Sequence, residues 1–126
     1  MKLKERIDKY AEETKLLATK VERRLKELSN KWGPFIIVPL VLQTIEGEFV
    51  VNLETISSGL RRSVEAAVFA AIMAGDEEIK SVISRFEKEV KEVLLNVEEL
   101  KIRINVLEAL KKRKKEIDTE TNNRGH

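Results

Sequence analysis

Apolar residues recur along this chain mostly at helical spacing. Leu3, Ile7, Tyr10, Thr14, Leu17 and Val21 follow one another in steps of four and three, a heptad seam. The next step lands on Arg24, and the apolar positions move to Leu25, Leu28 and Trp32, closer to the 3.6-residue period of a straight helix. Asn30, Gly33 and Pro34 supply a stop, because Gly tolerates a left-handed terminus and Pro has no amide to continue the ladder. The pattern predicts a first helix over 2–31. Leu60, Val64, Val68, Ala71 and Ile72 then predict a second, from Ser58 to Ala74, with Ala66, Ala67, Ala70 and Ala74 offering small contact surfaces. Gly75 and Asp76 read as a helix-ending glycine and a new N-cap, with Glu77 and Glu78 at the positive end of the helix that follows.

That third helix, from Asp76 to about Ile117, carries the clearest seam: Ile79, Ile83, Phe86, Val90, Val93, Val97, Leu100, Ile104 and Leu107. A second stripe, Leu95, Ile102, Val106 and Leu110, lies on another side of it. A two-stranded coil would leave the second stripe wet, so a bundle or an oligomer is expected, with the seam as its contact. At about 1.5 Å per residue the helix is roughly 60 Å long, more than a compact domain of this size is wide.

Between the first two helices, Phe35 to Leu53 is rich in Val, Ile, Leu and Phe and contains Glu46-Gly47, a plausible two-residue turn. The expectation is a β-hairpin at about 35–53, pairing Thr44 with Phe49, Leu42 with Val51 and Leu40 with Leu53, its apolar face covered by a helix. The expected fold class is mainly α with a small β-hairpin, α+β, in the order helix, hairpin, helix, helix. One helical domain would span 1–118, and a polar, disordered tail 119–126. Helix, hairpin and long helix in that order resemble the arrangement of prefoldin subunits; the Ala-rich helix from Ser58 to Ala74 departs from it, and no motif carries a chaperone function across.

Composition narrows the chemistry. The 126 residues suffice for one domain, and about half of them are Ala, Glu, Lys, Leu or Arg, the bias of long or coiled-coil helices. There is no Cys, and the only His is His126, so disulfides, thiolate nucleophiles, Cys/His zinc sites and an embedded His-based triad are excluded. High Lys and Glu with a single Gln43 match the compositional bias of thermophile proteins. Lys2, Lys4 and Arg6 have no apolar stretch behind them, so no secretory signal is expected and the expected compartment is cytoplasmic. Phe35 to Leu42 is far shorter than the roughly 20 residues of a membrane helix, so no membrane partner is expected.

The net charge is only +2, but it is unevenly spread. Residues 1–32 hold 10 basic and 6 acidic side chains, residues 76–110 hold 6 and 9, and residues 111–126 hold 6 and 3. Opposite signs would align the first helix with the acidic stretch of the third. The run Lys111, Lys112, Arg113, Lys114 and Lys115 is the candidate nucleic-acid contact, although a solvated helix end favoured by the macrodipole explains it as well and no aromatic residue is interleaved for base stacking. Ser57, Ser58, Gly59, Arg61 and Arg62 form a candidate anion site if a helix begins there, with an ordinary serine N-cap as the plainer explanation. The carboxylate pairs Glu5/Asp8 and Glu89/Glu92 occupy outer positions and lack the histidines of ferritin-like sites. Tyr10 and Trp32 lie on the apolar seam, where packing explains them better than ligand stacking.

No residue set is expected to be catalytic, and no cofactor or metal is expected. The expected function is a non-enzymatic oligomeric helical scaffold or protein-interaction module, most simply a dimer. The alternatives are a small nucleic-acid-binding protein using Lys111 to Lys115, and a magnesium-dependent all-α enzyme.

Overall fold

A computed structural model describes residues 2–33 and 48–124. They form three helices, α1 (Leu3–Trp32), α2 (Glu48–Ala74) and α3 (Glu77–Arg124). Among the described residues there is no strand.

α2 and α3 are joined by two residues. Gly75 takes φ +67, the left-handed conformation that ends a helix without a Cβ clash, and its amide donates to the Ala71 carbonyl at 3.2 Å. Asp76 caps α3: its Oδ1 accepts from the amides of Glu78 at 2.8 Å and Ile79 at 3.2 Å, leaving Glu77 and Glu78 in the first turn. So short a joint forces α2 and α3 antiparallel. α1 also runs antiparallel to α3, since Trp32 meets Phe86 and Glu89 while Glu13 meets Arg103.

α1 and α2 each pack chiefly against α3. The core takes Val21, Leu25, Leu28 and Trp32 from α1, Leu53, Ile56, Leu60, Ala67 and Ala71 from α2, and Ile83, Phe86, Val90, Val93, Val97 and Leu100 from α3. Trp32 packs on Phe86 with ring centroids 5.5 Å apart and planes tilted by 60°, a favourable aromatic geometry. Ser63 is buried within α2 and donates to the Gly59 carbonyl at 2.9 Å.

The structure corrects the expected fold class: the described residues form a three-helix arrangement, and no α+β fold with a hairpin over 35–53 is formed, because 48–53 is helix. Every cross-strand pair of the expected hairpin needs a partner in Glu48 to Leu53, and those residues form the first turns of α2. The other half of the hairpin, including Glu46-Gly47, lies outside the described residues. The β-branched content of Phe49 to Ile56 reads locally as strand, yet Leu53, Ile56 and Leu60 extend the helical row to Ala67 and Ala71, and burial along that row outweighs local preference. With the hairpin goes the ground for likeness to prefoldin subunits. The expected disordered tail is also revised, because α3 continues through 119–124, where Thr119 Oγ1 donates to the Lys115 carbonyl at 2.9 Å.

Phe86→Ala should destabilise the fold by about 3–5 kcal/mol, whereas Leu95→Ala, on the solvent side of the same helix, should stay within about 0.5 kcal/mol. Urea denaturation of the two variants checks this, and equal losses would contradict the packing.

Candidate functional site

The seam on α3 is spent inside the chain. Ile83, Phe86, Val90, Val93, Val97 and Leu100 are buried, Ile104 and Leu107 half-buried, and Ile79 exposed beside the α2–α3 joint. The second stripe stays outside: Leu95 is 72% exposed, Ile102 62%, and Val106 is also exposed, with Leu110 half-buried. Phe69, Ile72 and Met73 form another exposed apolar patch near the joint, and Leu16 stands alone on α1. Isolated exposed apolar residues are ordinary, but apolar groups in register along one helix are not.

α1 is held to α3 by polar contacts at both ends. Lys31 Nζ lies 2.5 Å from Glu89 Oε1, and Trp32 Nε1 donates to the other oxygen. The bond from Lys31 and then that from Trp32 lower the Glu89 pKa, against a smaller opposing effect of burial. At the far end, Arg103 Nη2 donates to Glu13 at 2.9 Å and its guanidinium lies 4.3 Å from the Tyr10 ring centre, a cation–π contact. α1 thus lies along α3 within one chain, with Lys31–Glu89 in the expected sense of basic first helix on acidic third and Arg103–Glu13 in the reverse sense.

α2 is registered on α3 by a cluster around Glu98. Its Oε1 accepts from buried Ser57 at 2.6 Å and from Arg61 Nη2 at 2.7 Å, and Lys101 Nζ bridges Glu98 Oε2 at 3.2 Å and Glu54 at 2.6 Å. The Ser57 bond is the main cause of a lowered Glu98 pKa, with burial opposing it, and the bond to Glu54 is the main cause of a raised Lys101 pKa. Both groups are held charged across neutral pH, so neither is poised to exchange a proton there.

The candidate anion site is not brought together. Ser57, Ser58, Gly59, Arg61 and Arg62 lie inside α2, not at a helix N-terminus, so their amides are committed to the helix. Neither serine serves as the N-cap. Ser57 is buried on Glu98, Arg61 is paired with the same carboxylate, and Ser58 and Arg62 are exposed. The Glu98 cluster left no local signature in the chain, since Ser57 and Arg61 are 41 and 37 residues from Glu98 and meet it only once α2 begins ten residues early.

Lys111, Lys112 and Arg113 lie beyond the start of α2 but beside the first turns of α1, and Lys114 and Lys115 lie beyond both helices. Glu54 meets Lys101 and Glu13 meets Arg103, so counting back along each antiparallel helix puts Glu48 near residue 107 and Leu3 near residue 113. The five cations are consecutive on a helix, where each residue turns about 100° from the last, so they run round the axis, and only Lys111, Lys114 and Lys115 share a side. Lys114 pairs with Asp118 at 2.9 Å and Arg113 with Glu116 at 3.6 Å. An open trough of about 250 Å³ between α1 and α3, walled by Arg24, Glu27, Lys31, Glu89 and Glu92, is smaller and more charged than typical small-molecule sites. Among the described residues no cluster of three or more His, Cys, Asp or Glu is arranged to hold a metal, and no helix is long and apolar enough to cross a membrane. Glu5 and Asp8 are exposed on α1.

Comparison of the chain with protein-family models, with curated proteins and with solved structures finds no match.

A lowered carboxylate pKa contributes stability above the ordinary carboxylate range that is lost as pH falls through the folded value. Glu98→Gln should therefore cost on the order of 1 kcal/mol at about pH 7 and much less at about pH 3. A raised lysine pKa works the other way, its contribution being lost only as pH rises through the folded value of Lys101, above the ordinary lysine range. Denaturation midpoints of the two proteins at both pH values check the sign, and a gap that widens in acid would contradict it.

Proposed function

We propose that the protein is a non-enzymatic helical scaffold that works by association along the outer face of α3. The observation that carries this reading is the exposure of Leu95, Ile102 and Val106, in steps of seven and four, on a helix of 48 residues that overhangs both its neighbours. At about 1.5 Å per residue α3 is about 72 Å long, and its buried side already satisfies α1 and α2. A second apolar row on such a helix contributes nothing to the isolated chain and is what a partner helix would cover.

The chemistry of the other groups supports the same reading. Ser57, which donates to Glu98, is closed to solvent, and the sequence holds a single histidine, His126. The carboxylates with shifted pKa values, Glu89 and Glu98, are occupied by cations and hydroxyl or indole donors that fix helix register. The basic run encircles α3 and is partly neutralised by Glu116 and Asp118, which favours a solvated helix end over a phosphate-tracking surface.

The test is association measured by sedimentation, for the chain alone and in cell extract, against Leu95→Glu with Ile102→Glu. The double substitution should leave helicity intact and weaken association more than about tenfold, since two apolar contacts are replaced by charge. Association indifferent to both positions would overturn the proposal. So would binding of oligonucleotides that weakens steeply with salt and disappears when Lys111 to Lys115 are replaced by Gln.

A further inference from the structure

We propose that the occupant of the outer face of α3 is a second copy of the same chain, laid antiparallel with Leu95 meeting Leu95 of its partner at the two-fold axis. This rests on the reading of that face as an association surface and names what covers it.

The argument is charge complementarity about one residue. Positions equidistant from Leu95 along α3 oppose one another in an antiparallel self-pair centred there. On the outer face Glu77 stands against Arg113 and Lys91 against Glu99, while Glu89, Lys101 and Arg103 are spent on α1 and α2. Both facing pairs are of opposite sign, and one like-charged pair, Glu92 with Glu98, borders the same face. The two members of that pair fall on opposite flanks of Leu95, about 60° to either side, so in antiparallel packing they are kept apart. Glu77 and Arg113 each lie 18 residues from Leu95, about five full turns, which returns both to its side of the helix. Lys91 and Glu99, about one turn away, border the same face. Phe86 and Ile104 lie nine residues from Leu95, about two and a half turns, and so face the bundle core on the opposite side.

The rest of the face suits this register. Lys88 falls across from Ile102, whose apolar surface its methylene stem can cover, and Ser84 and Ser81 fall across from Val106 and Ala109, small groups that permit close approach. Leu95, Ile102, Val106 and Ala109 are all exposed, as are Glu77, Lys88, Lys91, Glu99 and Arg113. Within the chain these charges make only exposed pairs of small energy, such as Glu77 with Lys80 at 3.3 Å and Arg113 with Glu116 at 3.6 Å. A parallel in-register pair would instead set Glu77, Lys88, Lys91, Glu99 and Arg113 each against its own copy, five like-charged contacts. The overlap from 77 to 113 is a strip about 54 Å long and about 10 Å wide, on the order of 1,100 Å² for the two chains, at the small end of stable interfaces. A weak, salt-sensitive dimer is the outcome that this small area and these exposed ion pairs imply.

The experiment uses the full chain, whose lack of cysteine makes directed cross-linking clean. Sedimentation should show a monomer–dimer equilibrium, weakened at least about tenfold by Leu95→Glu with unchanged circular dichroism. Glu77→Arg should weaken the dimer about three- to tenfold, and adding Arg113→Glu should restore it to within about twofold, because the pair is inverted rather than lost. Mixed Ser84→Cys and Val106→Cys chains, oxidised together, should yield the 84–106 disulfide in preference to 84–84 or 106–106. Preferred 84–84 and 106–106 products would mean a parallel pair and overturn the proposal. A monomer at all concentrations would overturn it too; if Leu95 and Ile102 then still govern association with other proteins in extract, the association surface stands and only its occupant changes.

Discussion

The packing of α3 against two helices at once is the constraint on which the rest of the molecule depends. Phe86, Val90, Val93, Val97 and Leu100 are buried by α1 and α2 together, while α1 and α2 make little contact with each other. Remove α3 and neither of the other helices has a surface to bury against, because an isolated amphipathic helix gains little from propensity alone. Polar contacts then choose among the ways the apolar faces could slide. Glu89 with Lys31 and Trp32, Arg103 with Glu13, and Glu98 with Ser57 and Arg61 each fix one helix axially on α3. Such contacts add modest stability and more specificity.

Much of the helical architecture was legible in the chain. α1 was placed to within a residue at each end, and the Gly75-Asp76 joint appeared in the sequence as the helix end and N-cap that the structure contains. These features are local: a glycine in the left-handed region and an aspartate accepting amide bonds need no distant partner. The start of α2 was not legible, because Phe49, Val50, Val51 and Ile56 carry a local preference for strand that only the buried row on α3 reverses. For the same reason Ser57, Ser58, Gly59, Arg61 and Arg62 were misplaced at a helix terminus: once the helix begins earlier, their amides are internal and Ser57 turns into the core.

The candidate surface shows the same division. The heptad rows of α3 were visible as two stripes, but spacing alone does not say which is covered from within. The structure assigns the interior to the row through Phe86 and leaves Leu95, Ile102 and Val106 to solvent. The basic run Lys111 to Lys115 was equally visible, yet its meaning changes once it is continuous helix, because five consecutive residues cannot all share one side of a helix.

Trp32 is the chain's only tryptophan, and it sits buried where α1 meets α3, its indole against Phe86 and its nitrogen donating to Glu89. The molecule therefore carries its own optical label for one event. Contacts between α2 and α3 join residues roughly 40 apart in the chain, whereas those of α1 with α3 join residues 57 to 90 apart, so the α2–α3 hairpin closes at the smaller entropic cost. Intrinsic fluorescence reports the packing of α1 on α3, while far-ultraviolet dichroism reports all three helices. The indole thus separates one helix–helix contact from helix formation as a whole in a single optical signal.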